Sequence, residues 1–208
     1  MQFRRIVARL PKRYRMLLLL AVGTTARYGE LVALRRRDVD PVAGTVRFER
    51  QWYRGQFKPT KRPASDRLVY LPPDVAGLLA VHLDLFVGPD ADALVTSTRN
   101  GAPPPTNHIN GYIHAAAAAI GEVDYSFHSL RHLGGTLAAQ TGASVREGMR
   151  RMGQSTSRAY LIYQRAFDDR DQAIAAQIGR GAAQGGRVLP LPTADELAER
   201  RQRRDGTG

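Results

Sequence analysis

The stretch that decides the fold is FHSLRHLGGTLAAQTGASVREGMRRMGQS, residues 127–155. Its pattern predicts two helices, over 127–141 and 145–152, with a glycine between them as a break. His128 and Arg131 are three residues apart, so they share one face of the first helix. An imidazole and a guanidinium on one helix face could act together on a bound anion.

The two histidines of this stretch raise a second hypothesis, because His128 and His132 are four residues apart and could share a metal ion. No third ligand stands at a plausible spacing. The chain also has no cysteine, which excludes thiolate zinc sites and disulfides. We therefore expect hydrogen-bonded histidines, and no metal or other cofactor.

Working outward, three further residues complete a set suited to phosphodiester chemistry without a metal. Arg27 stands in TTARYGEL, Lys61 in KRPASDR, and Tyr163 ends MGQSTSRAYLIY. Arginine forks bind both non-bridging oxygens of a phosphate and offset the charge of its transition state. A lysine can protonate the departing 5′ oxygen, a histidine can handle the nucleophile's proton, and a tyrosine can form a covalent phosphoenzyme.

This pattern resembles the tyrosine recombinase, or phage integrase, family. ARYGELVALRRRDVD (26–40) is similar to the first arginine box of the family. KRPASDRLVYLP (61–72) is similar to its hairpin segment, where Ser65 and Arg67 follow the lysine. Residues 127–155 are similar to the second box and the turn that follows it. These three boxes, and the tyrosine that follows them, stand in the family's order, which makes the resemblance specific.

The position of the nucleophile also fits the resemblance. Tyr163 lies nine residues after Gln154, which is the spacing that the family keeps between that turn and its tyrosine. Tyr160 is the alternative nucleophile, but its position three residues earlier favours a packing role. The resemblance runs from residue 13 to residue 167.

The resemblance implies a role for each matched residue. Arg27 and Arg131 would clamp the phosphate. Lys61 would be the general acid, and His128 would assist proton transfer. Tyr163 would form a 3′-phosphotyrosyl link that conserves the bond energy, so that religation needs neither ATP nor metal.

Three further positions would support this site. By the resemblance, Glu30 and His132 would hold the catalytic side chains in place. Gln154 stands where the family usually has His and sometimes Trp. Glutamine can donate a hydrogen bond to phosphate but carries no charge, so we expect weakened chemistry, not its loss.

The charge balance agrees with a nucleic-acid partner. Lys and Arg number 31 against 19 Asp and Glu, which gives a net charge of +12 and a pI of about 10.8. Such an excess favours a polyanion, because binding releases condensed counterions. An anionic membrane surface is the second candidate. We expect double-stranded DNA, and the resemblance implies a homotetramer on it.

The predicted fold class is α+β, mostly helical with one small antiparallel sheet, of the tyrosine recombinase catalytic-domain type. The sheet comprises strand 45–52, a basic hairpin loop 55–65 and a return strand 67–71, with a separate short strand at 93–96. Beyond the two helices above, helices are predicted over 13–26, 27–34, 74–86 with Asp74 as N-cap, 107–120, 157–163 and 168–178.

Two segments are predicted within the chain. Residues 1–178 would form the catalytic domain, and residues 179–208 a Gly-rich linker with a charged tail. A capping box at Thr193–Glu196 starts a short helix in that tail. The helix could dock on a neighbouring protomer or remain a solvated tail. Family members usually carry an N-terminal clamp domain, which is expected to be absent here.

The N-terminus carries a basic start and an apolar run over 16–22, which imitates a signal peptide. The run is too short to span a bilayer and continues into a helical pattern. We therefore interpret it as a buried helix of a cytoplasmic protein.

Three other functions fit parts of the sequence. A type IB topoisomerase shares the same chemistry, although the hairpin and the turn motif favour the recombinase. A weakly active or inactive DNA-binding remnant would agree with Gln154 and the expected lack of a clamp. A basic RNA-binding protein would need an aromatic stacking cluster, which an aromatic fraction of 7% does not provide.

Overall fold

The computed structural model describes residues 2–60, 66–123 and 125–154. This part of the chain contains seven α-helices: α1 Gln2–Arg9, α2 Lys12–Thr24, α3 Tyr28–Leu31, α4 Pro73–Phe86, α5 Thr106–Ala118, α6 Phe127–Gln140 and α7 Val145–Met152. A 3₁₀ turn, Arg36–Asp38, follows α3. The predicted helices at 157–163 and 168–178, the tail and the boundary at residue 178 lie outside the described residues.

Five short strands accompany these helices: β1 Val39–Asp40, β2 Thr45–Phe48, β3 Arg50–Tyr53, β4 Gln56–Pro59 and β5 Arg67–Tyr70. An antiparallel sheet has the strand order β1-β2-β5, and β3 pairs with β4 as a separate two-stranded ribbon. Among the described residues the fold is thus mostly helical with small antiparallel sheets, and the predicted class is confirmed.

The core is built around α2. Leu17, Leu18, Leu20 and Ala21 are fully buried, because α2 packs against α6 and α4 as well as α1. A helix that is apolar on all sides is expected at the centre of a domain. The predicted buried helix at 13–26 is therefore confirmed, and each of its ends lies within two residues of the prediction.

The prediction of one strand over 45–52 was wrong. β2 ends where Phe48 pairs with Arg67, the first residue of β5. Among the described residues, the chain after Phe48 makes no further pairs in the three-stranded sheet. It pairs instead with residues 56–59, which were predicted as loop and form β4.

The N-terminal helix α1 was not predicted. Phe3, Ile6, Val7 and Leu10 have helical spacing, and Ile6 is fully buried, where α1 packs against α5. The arginines between these residues resemble the basic start of a targeting signal, which hid the periodicity. No helix among the described residues is long and apolar enough to cross a membrane.

Three smaller predictions were also wrong. Helix α4 begins at Pro73 with Pro72 as its N-cap; the Asp74 carboxylate accepts from the Val75 N–H at 3.0 Å instead of capping the helix. The predicted strand 93–96 is a single bridge between Arg35 and Leu94. Of the predicted helix 27–34, only α3 is α-helical.

Candidate active site

Arg27 is positioned by the start of α3. It is the N-cap residue, and its backbone N–H donates to the Glu30 carboxylate at 2.8 Å. Its guanidinium donates to the other Glu30 oxygen at 3.2 Å and to the Gly153 carbonyl at 3.3 Å. The Arg27 side chain remains 48% exposed. It is therefore fixed at two points and still open to a ligand.

Glu30 holds two arginines at once. Its second partner is Arg67 on β5, whose guanidinium donates at 3.0 Å and whose side chain, like that of Glu30, is almost fully buried. Burial alone would raise the pKa of Glu30, but the charge and hydrogen bonds of Arg67, with the bonds from Arg27, lower that pKa below its ordinary value. The Glu30 carboxylate thus binds both arginines; its role in supporting catalysis stays a prediction.

Arg131 enters the site from α6. Ser126 caps this helix by accepting from the Ser129 N–H at 3.3 Å. Arg131 lies one turn further along, and only 6% of it is exposed. Its guanidinium donates to the Thr25 carbonyl and, at 2.9 Å, to the Met152 carbonyl. It therefore ties the segment before Arg27 to the end of α7.

The turn that ends α7 is held by three arginines through consecutive backbone carbonyls. The Arg151 carbonyl accepts from the Arg67 Nε at 2.9 Å. The Met152 carbonyl accepts from Arg131, and the Gly153 carbonyl from Arg27. Carbonyls at a helix C-terminus lack helical donors and carry partial negative charge, so guanidinium groups satisfy them well.

Gly153 is required in this turn for two reasons. Its φ is +60°, a left-handed conformation that favours glycine. A Cβ at this position would also lie 2.6 Å from Nη1 of Arg67. The close approach of the turn to Arg67 thus depends on the missing side chain.

The two histidines lie on the outer side of α6. Both His128 and His132 are exposed, and their rings are 4.5 Å apart in an edge-to-face arrangement. Partial burial, with the nearby His128 and Arg131, lowers the pKa of His132.

Three of the predicted site residues line one cavity of about 430 Å³. They are Arg27, His128 and Arg131, and Thr106 and Asn110 of α5 line the same cavity. Tyr28 also lines the cavity; burial raises its pKa and its hydroxyl donates to the Pro104 carbonyl at 2.6 Å. The cavity therefore offers two guanidinium groups and an imidazole to one ligand.

Gln154 is brought to the same turn but not to the same cavity. Its backbone N–H donates to the Met149 carbonyl at 2.9 Å. Its side chain lines a neighbouring cavity of about 520 Å³ together with Arg67 and Arg150. Among the described residues its buried Oε1 has no hydrogen-bond partner. Its role as a phosphate donor stays a prediction.

Two of the predicted site residues, Lys61 and Tyr163, lie outside the described residues, as does the alternative nucleophile Tyr160. Lys61 comes two residues after Pro59, where β4 ends. No group of three or more His, Cys, Asp or Glu side chains that could hold a metal ion occurs in the described part of the chain.

Arg67 is the site residue that sequence reasoning missed. It was noticed as the last residue of the hairpin motif but was not assigned to the site. The alternation of β5 carried a signal, because Arg67 and Val69 are the buried positions of this strand. A buried arginine needs a carboxylate partner, and Glu30 was already a candidate.

Sequence comparison finds relatives of this chain among the integrases. A sequence model described as the phage integrase family matches residues 1–170. The putative prophage phiRv2 integrase of Mycobacterium tuberculosis (strain ATCC 25618 / H37Rv) is 35% identical over 184 residues, covering 84% of this chain and 48% of the relative. The integrase of Mycobacterium phage L5 is 33% identical over 185 residues, covering 84% and 49%. The chain thus spans about half the length of these curated relatives.

Solved structures share the fold. The Tn1549 transposon integrase in complex with circular intermediate DNA has a TM-score of 0.70 at 17% identity, covering 84% of this chain and 64% of that one. The XerA recombinase has a TM-score of 0.66 at 20% identity, covering 85% and 61%. The chain belongs to the phage integrase family, and its fold is that of a tyrosine recombinase catalytic domain.

Proposed function

We propose that this chain is the catalytic part of a site-specific DNA recombinase, which cleaves and rejoins strands through a 3′-phosphotyrosine at Tyr163. One observation carries the proposal. Arg27 is distant in sequence from His128 and Arg131, and all three line a single cavity. A scissile phosphate is the ligand that two arginines and a histidine suit best.

The chemistry follows from the fixed positions of the two arginines. Their guanidinium groups bind the non-bridging oxygens, and they stabilise the added charge when the Tyr163 oxygen attacks phosphorus. Because backbone carbonyls and Glu30 already hold them, little reorganisation is needed in the transition state. The 5′ oxygen leaves with a proton from Lys61, and His128 assists the proton transfer of the nucleophile.

Rejoining is the reverse of this step. The 5′ hydroxyl of a strand attacks the phosphotyrosine, the phosphodiester forms again and Tyr163 leaves as a phenol. One phosphoester bond forms and one breaks in each direction, so the reaction needs no external energy source. Gln154 would donate one neutral hydrogen bond, which is weaker than a bond from a charged group.

The partner in this proposal is double-stranded DNA, on which the protein would act as a homotetramer in the cytoplasm. The net charge of +12 supports a polyanionic partner. Residues 1–178 would supply the catalytic domain, and residues 179–208 would form the linker and tail. The curated relatives are about twice as long as the matched region.

A nicked suicide duplex tests the proposal. Cleavage next to a nick releases a short oligonucleotide, so the covalent protein–DNA adduct accumulates. Duplexes that tile the DNA flanking the gene serve as substrates. We expect a denaturation-resistant adduct with the wild-type chain on one duplex and none with Tyr163→Phe. The absence of an adduct on every duplex would favour the inactive DNA-binding remnant.

The same protein can be tested for topoisomerase activity. Site-independent relaxation of a supercoiled plasmid would contradict the recombinase and favour a type IB topoisomerase. We expect relaxation only on a plasmid that carries the duplex on which the adduct forms.

A further inference from the structure

The ribbon formed by β3 and β4 is separate from the three-stranded sheet, whose strand β5 carries Arg67. Its strands pair with each other, with Gln51 opposite Lys58 and Tyr53 opposite Gln56. Arg54 and Gly55 form the tip, with φ values of +49° and +78°. Positive φ at both central residues is typical of a type I′ turn, whose twist matches that of the strands in a two-residue hairpin.

One face of the ribbon is fixed to the protein. Trp52 and Phe57 point to this side and stack with their rings 4.6 Å apart. The Arg50 guanidinium lies over the Phe57 ring, and its Nε donates to the Ala33 carbonyl at 2.8 Å. The Trp52 carbonyl lies so close to Gly29 that a Cβ there would be 2.5 Å away.

This contact brings the ribbon next to the candidate active site, because Gly29 also lines the catalytic cavity. The tip is two residues beyond Trp52, which corresponds to about 7 Å along a strand. A duplex with a phosphate in the cavity would therefore extend past the ribbon.

The other face of the ribbon carries polar and basic side chains. Alternation along the strands places Gln51, Tyr53, Gln56 and Lys58 on this side. The Arg54 guanidinium and the Lys58 ammonium lie 5.4 Å and 5.9 Å from the centre of the Tyr53 ring. Arg54 and Lys58 are both exposed. Residues 50–59 include three cations and no acidic residue.

We propose that this outer face of the β3–β4 ribbon is a second DNA contact, in which Arg54 and Lys58 neutralise backbone phosphates outside the catalytic cavity. The inference rests on the proposed function, because it requires a duplex at the site. A two-stranded ribbon has the width that the major groove admits. The Tyr53 ring holds both cations on one side of it, which favours simultaneous contact with one duplex.

The test is equilibrium DNA binding by the full chain at several salt concentrations. Arg54→Asn and Lys58→Gln remove both charges together. Asparagine before glycine is the preferred type I′ sequence, so the tip keeps its conformation. The control is Arg4→Gln with Arg5→Gln, two exposed arginines of α1 near the end where Gln2 meets Glu122. Circular dichroism verifies that both double variants are folded.

Two lost phosphate contacts should reduce the slope of log K against log salt by about 1.8, since each contributes about 0.9. The α1 control should keep a slope closer to wild type. An unchanged slope in the ribbon variant would overturn the inference. An equal reduction in the α1 control would also overturn it, because the loss would then follow from net charge alone.

The suicide duplex separates this inference from the proposed function. Suppose that the wild-type chain forms an adduct and the ribbon variant keeps the wild-type salt slope. This result would support the recombinase activity and reject the ribbon contact. A reduced ribbon slope without any wild-type adduct would support the DNA contact and reject strand cleavage.

Discussion

At the scale of single residues, the site depends on arginines that serve both the fold and the ligand. Arg131 is nearly buried and bonded to two backbone carbonyls, while Arg27 keeps half of its side chain exposed. The same bonds that fix these guanidinium groups also hold the turn before Gln154. Substitutions at these residues should therefore affect rate and stability together, and the two effects must be measured separately.

Arg131→Lys should lower the rate of adduct formation by roughly 10²–10³, the usual cost of losing one oxyanion donor. Lysine retains the positive charge. Its ammonium lacks the planar fork of a guanidinium, so it cannot bond to two carbonyls and a phosphate at once. Arg37→Lys is the control, because Arg37 is exposed and pairs with Asp92 at 3.1 Å. Adduct formation is followed on the suicide duplex below the unfolding temperature of each variant. A wild-type rate for Arg131→Lys would contradict its role.

Gly153→Ala should lower the free energy of unfolding by more than the roughly 1–3 kcal/mol expected for backbone strain alone. The added Cβ would meet Arg67 as well as adopt a positive φ. Gly121→Ala is the matched control, since its φ is +76° but nothing lies within 4 Å of its Cβ. Urea unfolding of both variants measures the difference. Equal losses of unfolding free energy in the two variants would mean that the contact between the added Cβ and Arg67 does not destabilise the protein.

The sequence alone predicted several residues of the site, because they belong to motifs with recognisable chemistry. Arg27, Glu30, His128 and Arg131 were named in advance, and the structure brings them together. The bonds of the arginines to carbonyls 151–153 could not be predicted, because backbone partners leave no trace in side-chain spacing. The placement of Gln154 at a second cavity could not be predicted either, because it depends on the packing of α7 against β5.

At the scale of elements, Gly134 lets α6 approach the end of α2 closely. A Cβ on Gly134 would lie 2.4 Å from the Val22 carbonyl oxygen and 2.9 Å from the Thr25 side chain. This contact sets the distance between α6, which carries Arg131, and the end of α2, whose next turn leads to Arg27. The geometry of the two arginines thus depends on a small residue between two helices.

Gly134→Ala should destabilise the protein by about 1–3 kcal/mol, because overpacking moves one helix away from the other. Gly111→Ala in α5 is the control, since nothing lies within 4 Å of its Cβ. That substitution should be neutral or stabilise by up to about 1 kcal/mol, as alanine is the better helix former. Thermal unfolding checks both. Loss of stability in Gly111→Ala but not in Gly134→Ala would reverse the interpretation.

Element prediction succeeded where periodicity was long and failed where pairing was decided by tertiary contacts. The pattern over 127–152 gave α6 and α7 with nearly correct bounds. The break between β2 and β3 was missed, because it depends on where β5 begins and not on the residues of 45–52 themselves. Sequence alternation alone cannot distinguish one long strand from two strands with different partners.

At the scale of the whole molecule, the buried pair of Glu30 and Arg67 links stability to pH. The folded-state pKa of Glu30 lies below its ordinary value of 4.5, because Arg67 and Arg27 outweigh the effect of burial. Because the pKa of Glu30 is lower in the folded state, its ionised carboxylate stabilises the fold, and this stabilisation is fully present above the unfolded pKa. It is lost as the pH falls through the folded pKa.

Glu30→Gln should therefore flatten the decrease in unfolding free energy below pH 4.5. At neutral pH it should cost about 3–5 kcal/mol, since Arg67 would be left buried without its carboxylate. Urea unfolding between pH 7 and pH 3 measures both effects. A variant with the wild-type dependence on pH would show that another carboxylate is responsible.

The family and the fold of the whole molecule were predicted from the order of the motifs. The individual contacts could not be predicted in this way. Basic composition indicated a polyanion, and the ordered boxes indicated a recombinase catalytic domain. The three-way role of the α7 turn emerged only when arginines from α3, α6 and β5 could be seen around it. These bonds join residues 21, 84 and 126 positions apart, beyond the range of local spacing rules.

The central claim is that Tyr163 attacks a phosphate held by Arg27 and Arg131, and fragmentation mass spectrometry of the adduct tests it most directly. Trypsin should release residues 159–165, AYLIYQR, which contains both Tyr160 and Tyr163. Fragment ions within this peptide locate the attached nucleotide. We predict that it is bonded to the Tyr163 oxygen through a 3′ phosphate, and attachment at Tyr160 or at any other residue would contradict the account.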